Sequence, residues 1–223
     1  MNPTTFVKNL ASFSSSNVFN PYRDTCDVHD RRDAAARRRK MLRSYLTAAE
    51  SIGVDTIWMG RDLGYRGGRR TGVALTDEHH LPELSRFYPG CQSEQVTFGP
   101  AIAERTAAEI WNVLRVIELR PLLWNVFPYH PHEEDLPFTN RRFTSAELAD
   151  AEELNHELIT WLRIRRIVAI GQDAAQYAQR FGVQVTTIRH PSYGGVRDFR
   201  NGMSEIYGFP LHCLEAARQQ VLF

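Results

Sequence analysis

Lysine is nearly missing from this chain of 223 residues. Of its 27 basic side chains, only Lys8 and Lys40 are lysines, so amine nucleophiles are confined to two places. Cysteine is scarce too: Cys26, Cys91 and Cys213 stand far apart, with no CxxC pair. That excludes a disulfide scaffold and the usual spacing of a thiolate zinc site or an iron–sulfur cluster. Free thiols in a reducing cytoplasm are the simplest expectation. No apolar run approaches the roughly 18 residues of a membrane-spanning helix. The opening MNPTTFVKNLASFSSS lacks an apolar signal-peptide core, so secretion is not expected and a cytoplasmic location is. No GxGxxG follows an apolar strand, which disfavours a dinucleotide enzyme. Internal repeats are absent. An excess of one charge is absent as well: 27 cations meet 26 anions, for a net charge of +1. A nucleic-acid surface, if there is one, must therefore be local.

What is present supports a single globular domain, since 43% of the residues are hydrophobic. Residues 1–27 read as an N-terminal extension and 28–223 as the core. The arginine bias suits phosphate recognition through the planar guanidinium fork, although genome composition is reason enough for most of it. The Arg37–Lys40 run reads chiefly as the solvated face of a helix.

Residues 28–50 carry apolar positions at helical spacing, with Asp30 or Asp33 as a cap. Gly53 closes that helix. A first core strand is expected over 54–59, broken by Gly60, with a Gly- and Arg-rich loop over 60–76. Residues 77–99 are punctuated by Pro82, Pro89, Gly90 and Gly99 and read as irregular. A helix over 101–117 leads into a second strand, 121–127, and then an irregular loop over 132–143. Thr144 followed by Glu147 is the signature of a capping box opening a long helix to about Arg163. A third strand spans 166–170, a short helix 173–181, and a fourth strand 183–188. A final helix follows Gly194 and Gly195. The alternation predicts an α/β protein with three α/β/α layers around a mostly parallel four-stranded sheet.

Parallel strands put their carboxyl ends on one edge, where such folds bind ligands. Three ends here are polar: Asp62 follows the first strand, Asn125 lies near the end of the second, and His190 follows the fourth. The third ends in Gly171-Gln172-Asp173, without obvious chemistry. His130, His132, Glu133, Glu134 and Asp135 suggest a metal cluster, but Pro131 interrupts them and no partner ligands stand at helical spacing. His79 and His80 are similarly weak. Trp111 and Trp161 lie on apolar helix faces and read as core.

The segment GRDLGYRGGRRTG after a strand, the Asn of LLWN at a strand end, and HPS after the last strand, in that order over residues 54–200, resemble the uracil-DNA glycosylase superfamily. The resemblance implies a monofunctional enzyme that hydrolyses the N-glycosidic bond of deoxyuridine in DNA and leaves an abasic site. Asp62 matches the Asp of GQDPY-type motifs, which orients water and faces the positively charged sugar. Asn125 matches the Asn that reads the uracil edge, and His190 matches the His that donates to uracil O2. Gly60 and Arg61 fall in the same substrate-binding stretch. The cluster-binding cysteines of the GEAPG branch are missing, so a cofactor-free, metal-free member is implied. Leu63 and Gly64 stand where GQDPY relatives carry Pro and Tyr. Tyr65 or Phe127 is therefore an alternative screen at the C5 edge, and Leu75, Phe127, Phe98 or Tyr65 an alternative base-stacking wall.

Reaching a base in a duplex requires flipping it out. Tyr193 and Arg197, in the loop after HPS, are assigned to fill the vacated stack or clamp phosphate, and Ser192 to hydrogen-bond phosphate. Arg66, Arg69 and Arg70 either bind the DNA backbone or form a solvated loop. The expected partner is uracil-containing DNA, single- or double-stranded, acted on by a monomer without membrane attachment. Two further readings remain open. One is a uracil-DNA binding protein with little turnover, although the 64–72 loop lacks the His that a covalent adduct uses in one branch. The other is a broader glycosylase acting on mismatched thymine, xanthine or hypoxanthine.

Overall fold

The structure, a computed structural model, describes residues 1–219. Its elements run in chain order as α1 (Pro3–Ser12), β1 (Val18–Phe19), α2 (Ala34–Ile52), β2 (Thr56–Asp62), α3 (Gly68–Thr71), a 3₁₀ turn (Glu78–His80), α4 (Leu81–Phe87) and α5 (Arg105–Leu114). Then come β3 (Leu122–Phe127), β4 (His130–Pro131), α6 (Ser145–Trp161), β5 (Arg166–Ile170) and α7 (Gln172–Ala178). A 3₁₀ turn (Gln179–Phe181), β6 (Gln184–Ile188), α8 (Val196–Tyr207) and α9 (His212–Gln219) complete the described residues. The expected three-layer α/β/α architecture is the observed one.

The central sheet has strand order β3-β2-β5-β6 with every pairing parallel. Its apolar strands explain this arrangement. Ile57, Trp58, Met59, Leu122, Leu123, Ile167, Val168 and Ala169 are all buried, which requires helices on both faces. The strand order also fixes where the chain changes direction. From β2 it crosses to β3 on one side, then returns past β2 to β5 on the other. The topological switch point therefore lies between β2 and β5, and a crevice is expected at their carboxyl ends.

Several elements depart from the sequence-based expectation. Gly60 does not break β2; the strand runs on through Arg61 to Asp62, which pairs with Phe127. Backbone pairing to β3 continues past the glycine, which keeps the N–H and C=O that the ladder uses. The stretch 77–99 contains α4, which starts with Pro82 near its N-terminus, a position where proline's missing N–H costs nothing. Residues 3–12 form a helix capped by the Asn2 side chain, and Phe6, Val7 and Leu10 enter the core shared with the sheet. The Arg37–Lys40 run is not a wholly solvated face. Arg38 is completely buried, ion-paired with Asp30 at 2.5 Å and donating to the Arg70 carbonyl at 2.8 Å. Asp30 thus serves a buried ion pair, and α2 starts at Ala34. The capping box of Thr144 and Glu147 forms as its spacing predicts.

Candidate active site

Asn125 is the most informative side chain of the sheet edge. It lies on β3 opposite Gly60, 1% exposed, and its Oδ1 has no hydrogen-bond partner among the described residues. A Cβ at residue 60 would stand 2.5 Å from that oxygen, so only glycine admits the amide there. The same missing Cβ would stand 3.1 Å from a Leu75 methyl, so Leu75 forms the neighbouring wall. Leu75 holds φ = 55°, an unusual left-handed conformation for a branched side chain. Such strained residues collect at ligand sites.

Two residues along from Gly60 on the same strand, Asp62 ends β2 with its side chain only 8% exposed. Arg61 Nε donates to Asp62 Oδ2 at 2.5 Å, and Arg61 Nη1 donates to Asp173 Oδ2 at 3.0 Å. Burial raises the Asp62 pKa to about 6, outweighing the opposing pull of Arg61; Asp173 pushes it up further, and Arg141 draws it down. Asp62 is therefore mostly an anion at neutral pH, and a basic one. Oδ1 has no partner among the described residues and is open to a water.

His190 follows β6 and leans over the end of β5, its Cβ 3.2 Å from where a side chain on Gly171 would begin. Its Nδ1 accepts the Ser192 backbone N–H at 3.1 Å and lies 2.7 Å from the Ser192 hydroxyl. An acceptor at Nδ1 places the ring proton on Nε2. Burial, with Arg61 and Arg189 nearby, lowers the pKa to about 4. The ring is thus a neutral Nε2–H donor throughout the physiological range.

The other expected site residues separate into two groups. Tyr193 is 96% exposed at the tip of the loop after HPS, with φ = 50°, and Arg197 is exposed on the following helix. Together with Pro191, Ser192 and the start of α5, this loop lines a groove of about 570 Å³. Arg66 is exposed and donates to the Tyr65 hydroxyl at 3.0 Å, while the Tyr65 backbone N–H donates to Asn140 at 3.1 Å.

The remaining three turn inward. Arg69 and Arg70, expected on a loop facing phosphate, are 3% and 8% exposed because α3 coils back on the core. Arg69 sits over the Phe19 ring at 3.8 Å and contacts His130 Nδ1 at 3.0 Å; Arg70 pairs with Glu78 at 3.0 Å. Both charges are committed to the interior. Phe127, paired with Asp62 across the strands, is fully buried against Phe13, Tyr129 and Phe143.

Two carboxylates at the edge escaped the sequence reading. Asp173 lies in the first turn of α7, at the strand end that looked bland. Glu104 abuts the loop after Asp62, with Oε1 3.1 Å from the position of a Gly64 Cβ; burial and the Asp77 carboxylate raise its pKa to about 7. The parallel-sheet rule gave a signal for Asp173, whereas nothing in the local sequence marks Glu104. Among the described residues, no cluster of His, Cys, Asp and Glu is arranged to hold a metal ion.

Sheet order and flanking helices define a class of fold, a three-layer α/β/α sandwich around a four-stranded parallel sheet whose polar carboxyl edge carries Asp62, Asn125 and His190. Among solved structures, wild-type SMUG2 from Pedobacter heparinus matches with a TM-score of 0.61 at 11% sequence identity, over 98% of this chain and 99% of that one. At that identity the likeness establishes a common fold. No family model and no curated protein matches the sequence.

Proposed function

We propose that this chain is a DNA glycosylase that hydrolyses the N-glycosidic bond of deoxyuridine, releases uracil and leaves the strand intact at an abasic site. The observation that carries the reading is the unpartnered Asn125 amide. A buried acceptor without a hydrogen bond costs about 1–3 kcal/mol. Uracil repays that cost: its N3–H donates to Oδ1 and its O4 accepts from Nδ2, a pattern cytosine does not offer. The fold shared with SMUG2, a protein of uracil-DNA glycosylase type, supports the reading at the level of the superfamily.

The chemistry follows from where charge develops. As the C1′–N1 bond breaks, its electron pair moves onto uracil and positive charge builds on the sugar. Asp62 faces the sugar as an anion, and its free Oδ1 accepts a proton from the water that attacks C1′. His190 donates from Nε2 to uracil O2 and stabilises the leaving anion without transferring its proton. Preorganised groups of this kind, aimed at developing charge, are among the strongest sources of catalysis. A Schiff-base lyase step has no amine at the site, since Lys8 lies on α1 and Lys40 on α2.

A broader substrate range is favoured by one observation. Gly64 carries no side chain and Leu75 no ring, so neither position supplies an aromatic screen; the Glu104 carboxylate lies beside Gly64 instead. The deciding experiment incubates the protein, without added metal, with oligonucleotides containing deoxyuridine, thymidine, deoxyxanthosine or deoxyinosine. Abasic sites are then scored by hot-alkali cleavage. Release of uracil alone supports the narrow reading, and release of the others supports the broad one. Tight uracil-DNA binding without turnover would instead indicate a binding protein.

A further inference from the structure

The crevice between β2 and β5 holds a chain of three charges that the mechanism above uses only at one end. Arg61 lies between two carboxylates, 2.5 Å from Asp62 and 3.0 Å from Asp173. Both acids come from the strand ends that flank the switch point, and the guanidinium spans them. We propose that Arg61 is a positioning residue for the Asp62 carboxylate, and that Asp173 divides its guanidinium so that Asp62 is fixed in orientation without being neutralised.

The geometry separates the two tasks. Nε, the inner nitrogen, holds Asp62 Oδ2, while Nη1, at the end of the fork, holds Asp173. A rigid planar fork with one arm anchored restricts where the other arm's partner can swing. Asp62 Oδ1 is left to face water. Asp173 is the more exposed of the two carboxylates that share the cation, 33% against 8%. The exposed Arg142 also reaches Asp173, at 3.3 Å, so that carboxylate has a second cation beside it. The other charges facing this group are Arg141, before α6, and Arg189, beside His190. Arg61 also bears on His190, where its charge favours the neutral ring. One cation thus favours the ionised form of Asp62 and the neutral form of His190.

The inference rests on the glycosylase reading for its purpose, yet its electrostatic content can be tested without turnover. In the free protein, the carboxyl carbon of Asp62 is followed by NMR across pH 3–9. Arg61→Gln is expected to move the Asp62 titration upward by about one unit or more, the usual size of losing an adjacent arginine. Asp173→Asn is expected to move it downward, because it removes a like charge. Arg61→Lys, which keeps the cation and guards against a folding defect, is expected to lie between Arg61→Gln and the wild type. An unmoved titration in Arg61→Gln, or an upward shift in Asp173→Asn, overturns the shared-cation role. In a uracil-release assay the same variants are expected to move the acid limb of kcat in the same directions, with smaller changes in KM. If titrations shift as expected but no base is ever released, the glycosylase reading fails and the electrostatic arrangement stands.

Discussion

Asn125 and Gly60 face each other across two parallel strands so closely that a single methyl group on residue 60 would lie 2.5 Å from Asn125 Oδ1. The glycine is there for the amide. Gly60→Ala is therefore expected to push the amide aside by roughly 1 Å and lower uracil release about 100-fold, the scale of such misplacements. Thermal unfolding and single-turnover rates measured on the same preparation distinguish a displaced amide from a collapsed fold. A rate within twofold of wild type would remove Asn125 from the site.

Asp62→Asn keeps the shape of the side chain and removes its charge. Turnover is expected to fall by about 10²- to 10⁴-fold, the range for losing a positioned base. Affinity for uracil-containing DNA, measured by fluorescence anisotropy, should change far less. Equal losses in both would mean that Asp62 only binds.

The pH profile separates Asp62 from His190. The proposed mechanism uses Asp62 as an anion, and burial raises its pKa to about 6, whereas His190 stays neutral down to about 4. Activity is expected to fall as pH drops through 6, with that limb belonging to the carboxylate. The residual activity of Asp62→Asn should lack it. A limb near 6 that survives in Asp62→Asn would transfer the titration to another group.

His130 links pH to stability. It is fully buried, with Nδ1 against Arg69 at 3.0 Å and Nε2 donating to the Thr139 carbonyl at 2.8 Å. Burial and the Arg69 charge lower its pKa from 6.5 to about 3. Because the folded pKa lies below the unfolded one, the stabilisation is complete above pH 6.5 and is lost progressively as pH falls towards 3. His190 acts with the same sign, down to about 4. The melting temperature is expected to fall across this window, and to fall less steeply in His130→Gln, even if that variant starts lower. Identical slopes would exclude His130.

Tyr193 is almost wholly exposed and sits on a left-handed backbone, φ = 50°. If it fills the gap left by a flipped nucleotide, Tyr193→Ala should lower release from duplex DNA by about tenfold, equivalent to roughly 1.4 kcal/mol of stacking. Release from single strands should change little. Equal effects on both substrates would assign Tyr193 to strand binding instead.

The sequence by itself determined the strands, the parallel sheet and the residues at three of its ends. Apolar runs of about five residues bounded by glycine and polar turns encode buried strands wherever they lie in a chain. Asp62, Asn125 and His190 were therefore legible as edge residues. The capping box at Thr144 was legible because it is a contact between residues three apart. Whatever depended on distant partners was not. Arg69 and Arg70 read as DNA-backbone contacts or a solvated loop, but a Phe19 ring and a histidine from remote segments, with nearby Glu78, draw them inside. Phe127 read as a possible wall, but its complete burial against Phe13 and Phe143 depends on distant segments. Above all, the end of β5 looked empty of chemistry. Only the strand order, which hydrogen bonding between distant segments decides, set Asp173 beside β2 at the switch point and put Arg61 between two carboxylates.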